Sequence, residues 1–427
     1  MTLAVVGLGY VGLVAAVCLA AAGHRVIGIE ADPRRVDLLR SGHAPFWEPG
    51  VDDLLRQGLA SGNLTFTRDF SDLVEAEVVL LAVGTPSGLD AAVDTRDLEA
   101  AIADLAPHLG PDAVVVLKST VPVGTQARVV AALGHPTASN PEFLREGSAI
   151  SDFRSPDRVI LGVTDPRAES ALRRMYAPFV ASDRILVMDP ASAELTKYAA
   201  NTLLAARLSF LNELADLCGP TGADIHEVAR GLAADHRIGP AFLAPSLGWG
   251  GSCLPKDVAA LQALGQKHGV PLAIPAAAVA SNTRHGERWI EAVHAALAPV
   301  RGRVVAAWGL AFKANTDDVR HSPALAVVES LLAAGAVVRA HDPRAMEAAR
   351  RILGDRVHWC DHPAEALTHA TALVIGTEWD DYRRPPVQGD LEVVCDGRNL
   401  WRDAPKSGWT FEYLAVGNAG QPRPNRP

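Results

Sequence analysis

Hydrophobic positions in the first third of the chain fall into short, β-rich runs separated by longer stretches with helical spacing. Residues 3–6, 25–29, 78–83 and 114–117 read as buried strands, with 13–22 and 98–105 as helices between them. That alternation predicts a parallel sheet with helices on both faces. The pattern then changes. From Ser192 to Leu217 runs one Ala/Leu-rich segment without Gly or Pro. It predicts a helix of about 26 residues and about 39 Å, long enough to join two domains and carry a dimer face. More helix is expected at 257–268 and 276–297.

A second α/β unit opens at Arg303, with a strand at 304–308, a helix at 323–334 and a strand at 337–340. It echoes the beginning of the chain. Ala21-Ala22-Gly23-His24-Arg25-Val26 leads to Glu30-Ala31-Asp32-Pro33, and Ala333-Ala334-Gly335-Ala336-Val337-Val338 leads to His341-Asp342-Pro343. Two such halves suggest two nucleotide-like ligands, although any two βαβ units look alike at this level. The expected fold is α/β: two Rossmann-like, doubly wound domains at 1–190 and 301–415. A long central helix and a helical dimerisation region at 191–300 join them. The Pro/Gly/Asn-rich stretch 416–427 reads as a disordered tail.

Composition narrows the class. The chain has 427 residues, 48% of them hydrophobic, enough for two or three cores. A formal charge of −9 argues against a nucleic-acid partner but leaves room for a phosphorylated small molecule in a locally basic pocket. No long apolar stretch reads as a membrane span. The amino terminus runs directly into a strand, without the basic start and cleavage site of a secretory leader. Cysteines 18, 218, 253, 360 and 395 are scattered, with no CxxC pair or metal-ligand spacing. A cytoplasmic protein without a metal is expected.

Two segments carry chemistry. Gly7-Leu8-Gly9-Tyr10-Val11-Gly12 is a GxGxxG motif between a strand and a helix, the arrangement that cradles a dinucleotide pyrophosphate. Glu30, at the end of the second strand, would hydrogen-bond a ribose 2′-hydroxyl and repel a 2′-phosphate, which favours NAD over NADP. The second segment is Gly248-Trp249-Gly250-Gly251-Ser252-Cys253-Leu254-Pro255-Lys256-Asp257. Pro255 suits a first helical turn. Cys253 then sits at a helix N-terminus with Lys256 three residues on, and both favour a thiolate. An inert buried cysteine is the alternative, and it is the reading taken for the other four.

A dehydrogenase that needs a thiolate implies a four-electron oxidation. Hydride loss from a primary alcohol gives an aldehyde, which yields a second hydride only after a nucleophile adds. A thiohemiacetal, then a thioester, then hydrolysis to a carboxylate completes the sequence. Asp257 and Lys197 are candidates for handling protons and the developing oxyanion. A plain two-electron dehydrogenase would not need Cys253. A redox-sensing nucleotide-binding protein would use it as an oxidation switch.

Further motifs bring a resemblance. They are Val-Gly-Thr-Pro (83–86), Lys-Ser-Thr-Val-Pro-Val-Gly (118–124), Asn-Pro-Glu-Phe-Leu-Arg-Glu-Gly (140–147) and Glu-Leu-Thr-Lys-Tyr-Ala-Ala-Asn (194–201). Arg-Ile-Gly (237–239), Gly-Leu-Ala-Phe-Lys (309–313) and Asp-Gly-Arg-Asn (396–399) follow. With the glycine and cysteine segments, in this order from Gly7 to Arg398, they resemble the UDP-glucose/GDP-mannose dehydrogenases.

The resemblance implies oxidation of a nucleotide sugar to its acid by a homodimer or higher homo-oligomer. UDP-glucose is the expected substrate, with GDP-mannose or a UDP-N-acetylhexosamine as alternatives. It makes Cys253 the nucleophile, and Lys197 with Asp257 the pair assisting alcohol oxidation. Asn201 and Thr120 would hold a water or the substrate oxygen. Glu142 would be the acid–base residue, and Glu146, one helical turn on, a supporting or substrate-loop residue. Both could instead be acids at a helix N-terminus.

Gly7, Gly9, Tyr10, Val11, Gly12, Glu30, Arg35, Thr85, Thr120, Lys256 and Arg320 would contact the cofactor. Glu142, Phe143, Leu144, Glu146, Lys197, Asn201, Gly250, Phe312, Lys313 and Arg398 would contact the sugar nucleotide. Arg237 would reach the neighbouring subunit's sugar. Lys197 and Asn201 lie four apart on one helix face, which taken alone could be a solvated stripe. Trp249 reads as packing around the glycine loop. The chain departs from the family at Trp249 (often Phe), at Glu30 (commonly Asp) and at His321 (often Glu). Residues 90–94 also lack a glycine common in that loop.

Overall fold

The computed structural model describes residues 1–88, 92–385, 390–405 and 409–417. The chain divides into two compact units, Met1–Ala200 and Asn201 onward.

The first unit holds an eight-stranded sheet. Its strands are β1 (Thr2–Val6), β2 (Arg25–Ile29), β3 (Leu64–Thr67), β4 (Val78–Leu81), β5 (Val114–Leu117), β6 (Thr137–Ser139), β7 (Val159–Val163) and β8 (Ile185–Met188). The order is β3-β2-β1-β4-β5-β6-β7-β8. All neighbours pair in parallel except β6 and β7, which run antiparallel.

The apolar runs are explained by their two faces. Leu3, Val5, Val78, Leu80, Val114 and Val116 belong to one buried cluster. Their immediate neighbours Ala4, Val6, Val79, Leu81, Val115 and Leu117 belong to another. Successive side chains point to opposite faces, so a strand covered on both sides must be apolar at every position.

The second unit repeats the plan with β9 (Val304–Trp308), β10 (Val337–His341), β11 (His358–Trp359), β12 (Ala372–Ile375), β13 (Val393–Asp396) and β14 (Glu412–Ala415). The order is β11-β10-β9-β12-β13-β14 and every pairing is parallel. In both sheets the winding direction reverses beside the first strand, between β1 and β4 and between β9 and β12. Loops leaving the carboxyl ends of strands at such a point form the crevice where nucleotides bind in this architecture.

The long helix spans Pro190–Thr221, taking Gly219 and Pro220 into its last turn beyond the expected end. Helices Cys253–Lys267 and Ala273–Leu297 follow. Two expectations need correction. Residues 141–145 form no regular element and 146–147 form a turn, so Glu146 is not one helical turn from Glu142. The Glu142 carboxylate accepts from the Leu144 N–H at 2.7 Å, a local bond that competes with helix formation. Order also extends past Val416. That residue is buried, its carbonyl accepts from Asn399 Nδ2 at 3.2 Å, and the Gly417 carbonyl accepts from the Ile225 N–H at 3.2 Å. Of the expected tail, 418–427 lie outside the described residues, as do Asp90 and Ala91 of the loop lacking a glycine.

Candidate active site

In the first unit the glycine motif leaves β1 and enters helix Tyr10–Ala21, capped by Gly9. A Cβ on Gly12 would lie 1.9 Å from the Gly7 carbonyl oxygen, so only glycine lets helix and loop meet. Around Gly9 a Cβ would meet nothing within 4 Å, leaving the space beside the helix N-terminus open. The first turn carries no acidic residue and no side-chain cap, so its positive end is uncompensated there.

Glu30 is buried at the end of β2 and accepts from the N–H groups of Leu8 at 3.3 Å and Asp32 at 3.2 Å. Arg35 donates to the Leu8 carbonyl at 2.7 Å and lies 3.6 Å from the Glu30 carboxylate. Thr85, after β4, is buried. These residues fit a dinucleotide: an open helix N-terminus for the phosphates and an acid anchored at the second strand for a ribose. Val11 follows Tyr10 in the first turn and is half-buried.

Past β5 and β6 lies a buried ionic cluster. Lys197 donates to Glu142 at 2.8 Å, and both side chains are buried. Burial alone would raise the Glu142 pKa. The Lys197 charge and hydrogen bond, the Leu144 N–H and the Lys118 charge together hold it below the ordinary carboxylate value. Lys118, fully buried, donates to Asn140 Oδ1 at 3.1 Å and the Tyr176 hydroxyl at 3.2 Å. Burial brings its pKa down to about 8, against the upward pull of Glu142 and together with repulsion from Lys197.

Phe143 lies under two cations, Arg158 at 3.7 Å and Lys197 at 5.3 Å from its ring centroid. Leu144 packs at the edge of the core, and Glu146 is half-buried in the turn. Thr120 and Lys197 line one narrow crevice with Ser139, Pro141 and Glu194. Glu194 anchors the start of the long helix by accepting from Gly124 N at 2.6 Å, Gln126 N at 2.9 Å and Ser139 Oγ at 2.9 Å.

In the second unit Cys253 is the first residue of helix Cys253–Lys267, and it is exposed. The other four cysteines are buried, and burial pushes the Cys18 thiol up to about 12. A Cβ on Gly250 would fall 2.0 Å from the His321 carbonyl oxygen, and Gly251 N donates to the Arg320 carbonyl at 2.9 Å. The chain before the cysteine is thus held by backbone contact. Asn282 adds a two-point clamp, accepting from Trp249 N at 2.9 Å and donating to its carbonyl at 3.0 Å. The buried Trp249 indole donates to Ser209 Oγ at 2.8 Å, in keeping with a packing role.

Asp257 lies four residues after Cys253, one turn along the same helix face. Its buried carboxylate accepts from Asn201 Nδ2 at 2.6 Å and from Lys256 Nζ at 2.6 Å. Lys256 was expected to support the thiolate or the cofactor, and in the structure its ammonium is held on Asp257. The arrangement supplies a rigid, exposed sulfur with a paired acid one turn away.

A third group gathers at the β9/β12 reversal. Arg398, just after β13, donates to the carbonyls of Phe312 and, at 3.0 Å, Gly376, and pairs with Glu378 at 3.2 Å. Lys313 lies 5.7 Å over the Phe312 ring. Asp342, at the end of β10, accepts from the N–H groups of Leu310 at 2.7 Å and Ala311 at 3.1 Å. It also accepts from Arg344 N at 2.9 Å and Ala345 N at 2.8 Å. Asp342 follows β10 as Glu30 follows β2, and it shapes the loop after β9.

The side chains of Arg320 and Arg237 are exposed and paired with Asp318 at 2.7 Å and Asp235 at 2.6 Å, while the Arg320 backbone carbonyl accepts from Gly251 N in the cysteine loop. Sequence reasoning quoted Lys118 and Glu194 within motifs but gave them no role. The signal was a charged residue at a position the strand and helix patterns mark as buried.

Comparison with known proteins bears on the same three groups. The NAD binding domain of the UDP-glucose/GDP-mannose dehydrogenase family matches residues 1–180, its central domain 191–284 and its UDP binding domain 306–403. The chain belongs to the UDP-glucose/GDP-mannose dehydrogenase family. As a member it is an oxidoreductase that uses NAD. It is 44% identical to a UDP-glucose 6-dehydrogenase of Pseudomonas aeruginosa, over 98% of this chain and 97% of that one. A UDP-glucose 6-dehydrogenase of Rhizobium meliloti is 41% identical over 98% and 99%. Among solved structures, a UDP-glucose dehydrogenase from Pyrobaculum islandicum superposes with a TM-score of 0.89 at 39% identity, covering 98% of each chain. A UDP-D-ManNAc dehydrogenase from Pyrococcus horikoshii gives 0.85 at 27% identity, covering 98% of this chain and all of that one. Within the family, the fold expected from the hydrophobic pattern and the NAD preference read from Glu30 both stand.

Proposed function

We propose that this member of the family oxidises UDP-glucose to UDP-glucuronate, with Cys253 as the covalent nucleophile. The observation that carries the mechanism is the exposed thiol at a helix N-terminus, one turn from a carboxylate held by Asn201 and Lys256. The substrate follows the UDP-glucose dehydrogenases named above, which are 44%, 41% and 39% identical against 27% for the UDP-D-ManNAc dehydrogenase.

NAD, when bound, accepts the hydride in each of the two oxidations. In the first, Asp257 and Lys197 assist removal of the alcohol proton, with Asn201 and Thr120 holding the oxygen or a water. The Cys253 thiolate then adds to the aldehyde carbon, and the resulting alkoxide takes up a proton to give a thiohemiacetal. Lys197 supplies the positive charge that stabilises that oxygen as the adduct forms. Glu142 takes the hydroxyl proton as the thiohemiacetal loses its hydride and becomes a thioester. Glu142 releases that proton to solvent, and water activated through its carboxylate then cleaves the thioester, releasing the carboxylate and the thiol. The balance is one alcohol, one water and two NAD consumed, with one carboxylate, two NADH and three protons formed. Phe312, Lys313 and Arg398 are assigned to the nucleotide sugar and Arg320 to the cofactor phosphates.

With purified protein, UDP-glucose is expected to give a higher kcat/KM than GDP-mannose or either UDP-N-acetylhexosamine. If UDP-glucose were the poorest of the four, the substrate assignment would be wrong.

We also propose a homodimer. Leu203, Phe210 and Leu217 lie seven residues apart on the long helix and are 70%, 55% and 54% exposed, an apolar stripe of the kind that marks an association face. Arg237 is assigned to the partner's sugar on the resemblance alone. Sedimentation velocity at micromolar concentration should show at least two copies together, with Phe210→Glu shifting the distribution to single chains. A monomeric wild type would contradict the proposal.

A further inference from the structure

A buried carboxylate outside the residues used so far joins the glycine loop to the segment carrying Glu142. Glu48 is 5% exposed and follows Phe46 and Trp47 in the chain between helices Pro33–Arg40 and Val51–Ser61. Its Oε2 accepts from the Tyr10 hydroxyl at 2.5 Å and from Gly147 N at 2.5 Å, and its Oε1 accepts from Ala149 N at 2.8 Å. The donors lie far from it in sequence, and they lie on opposite functional sides. Tyr10 is the first residue of the helix whose N-terminus is open for the cofactor phosphates, and its ring packs against Phe46, centroids 4.9 Å apart and planes tilted by 46°. Gly147 and Ala149 close the loop that begins at Glu142 and includes Phe143, Leu144 and Glu146.

We infer that Glu48 is a positioning residue that couples the cofactor loop to the sugar loop, so that each ligand tightens binding of the other. One carboxylate satisfies all three donors only when the Tyr10 ring and the 147–149 turn converge on it. Hydrogen bonds to an ionised acceptor are the strong kind, so fixing either donor group favours the position that suits the other. A ligand that orders one loop then lowers the ordering cost left for the second ligand. The Tyr10 phenol remains a donor, because burial and the neighbouring Glu48 carboxylate both push its pKa upward. The sugar-loop side of this inference rests on the nucleotide-sugar reading above.

Titration calorimetry with NADH, with and without saturating UDP-glucose, tests it on the whole protein. The pair does not turn over, because both oxidations need oxidised cofactor. Wild type is expected to bind NADH at least about fivefold more tightly when UDP-glucose is present, the lower end of ordinary coupling between sites. Glu48→Gln keeps the shape but loses acceptor capacity, and the ratio should fall to near one. Tyr10→Phe removes the hydroxyl that joins the glycine loop to Glu48. Because the ratio compares NADH binding with and without sugar in the same variant, it should also come near one, which decides the matter if Glu48→Gln does not fold. A wild-type ratio near one with both ligands binding singly, or an unchanged ratio in a folded variant, overturns the inference. Failure of UDP-glucose to bind alone would instead sink the substrate assignment, and the titration then uses whichever nucleotide sugar supports turnover.

Discussion

Cys253→Ser is expected to lower sustained NADH production by at least about a thousandfold while leaving thermal stability unchanged. The stability half follows from the position: the side chain is exposed at a helix start, and an isosteric surface change shifts stability by about 0.5 kcal/mol or less. The activity half follows from acidity. The thiolate is the attacking nucleophile, and a serine hydroxyl is far harder to ionise than a thiol. Removing the attacking group of a covalent sequence costs several orders of magnitude even when every binding contact is kept. Steady-state NADH formation and a melting curve on the same preparation check both halves. Activity within tenfold of wild type would mean that the sulfur is filler and that the protein carries out a simple two-electron oxidation.

Lys197→Met should have the largest effect on the fold. Lys197 and Glu142 are a buried pair at 2.8 Å, and removing Lys197 takes away the largest charge compensation of a buried carboxylate, leaving it the Leu144 N–H and the Lys118 charge. Such losses cost about 3–5 kcal/mol. The pH dependence gives the prediction its sign. In wild type the folded-state pKa of Glu142 is held below its ordinary value, so its stabilising contribution is complete above the ordinary carboxylate range and disappears as pH falls through the depressed value. In the variant, burial dominates and the folded-state pKa rises. Its destabilisation is then greatest at neutral pH and shrinks as Glu142 takes up a proton on acidification. Urea unfolding at pH 7.5 and 5.5 reads this directly. A loss below about 1 kcal/mol, or one that grows on acidification, would contradict the pairing. Activity should collapse as well, since the cation assigned to the oxyanion is gone.

The two parallel sheets were legible because their strands alternate between two cores, which makes every position apolar. Leu3 and Ala4, or Val78 and Val79, serve opposite faces and leave a continuous hydrophobic run in the sequence. The reversed pairing of β6 and β7 was not legible, since strand direction leaves no mark on a buried three-residue segment. Cys253 announced itself through the glycines around it, and the structure gives the reason at Gly250, where the His321 carbonyl excludes any side chain. For Lys256, chain proximity to the cysteine did not show that its ammonium also pairs with an anion beside it. The adjacent Asp257 carboxylate holds it. Glu146 misled for a different reason. Its spacing from Glu142 fits a helix, but a carboxylate–backbone bond and the turn at 146–147 set the local path. Glu48 offered no pattern at all, because its three donors are brought together only by the fold.

The central claim is a four-electron oxidation through a sulfur adduct, and the most direct test is the yield of NADH per mole of UDP-glucose consumed to completion. Two NADH for each sugar, with UDP-glucuronate as the product, is the predicted result. One NADH for each sugar, with an aldehyde left in solution, would contradict it.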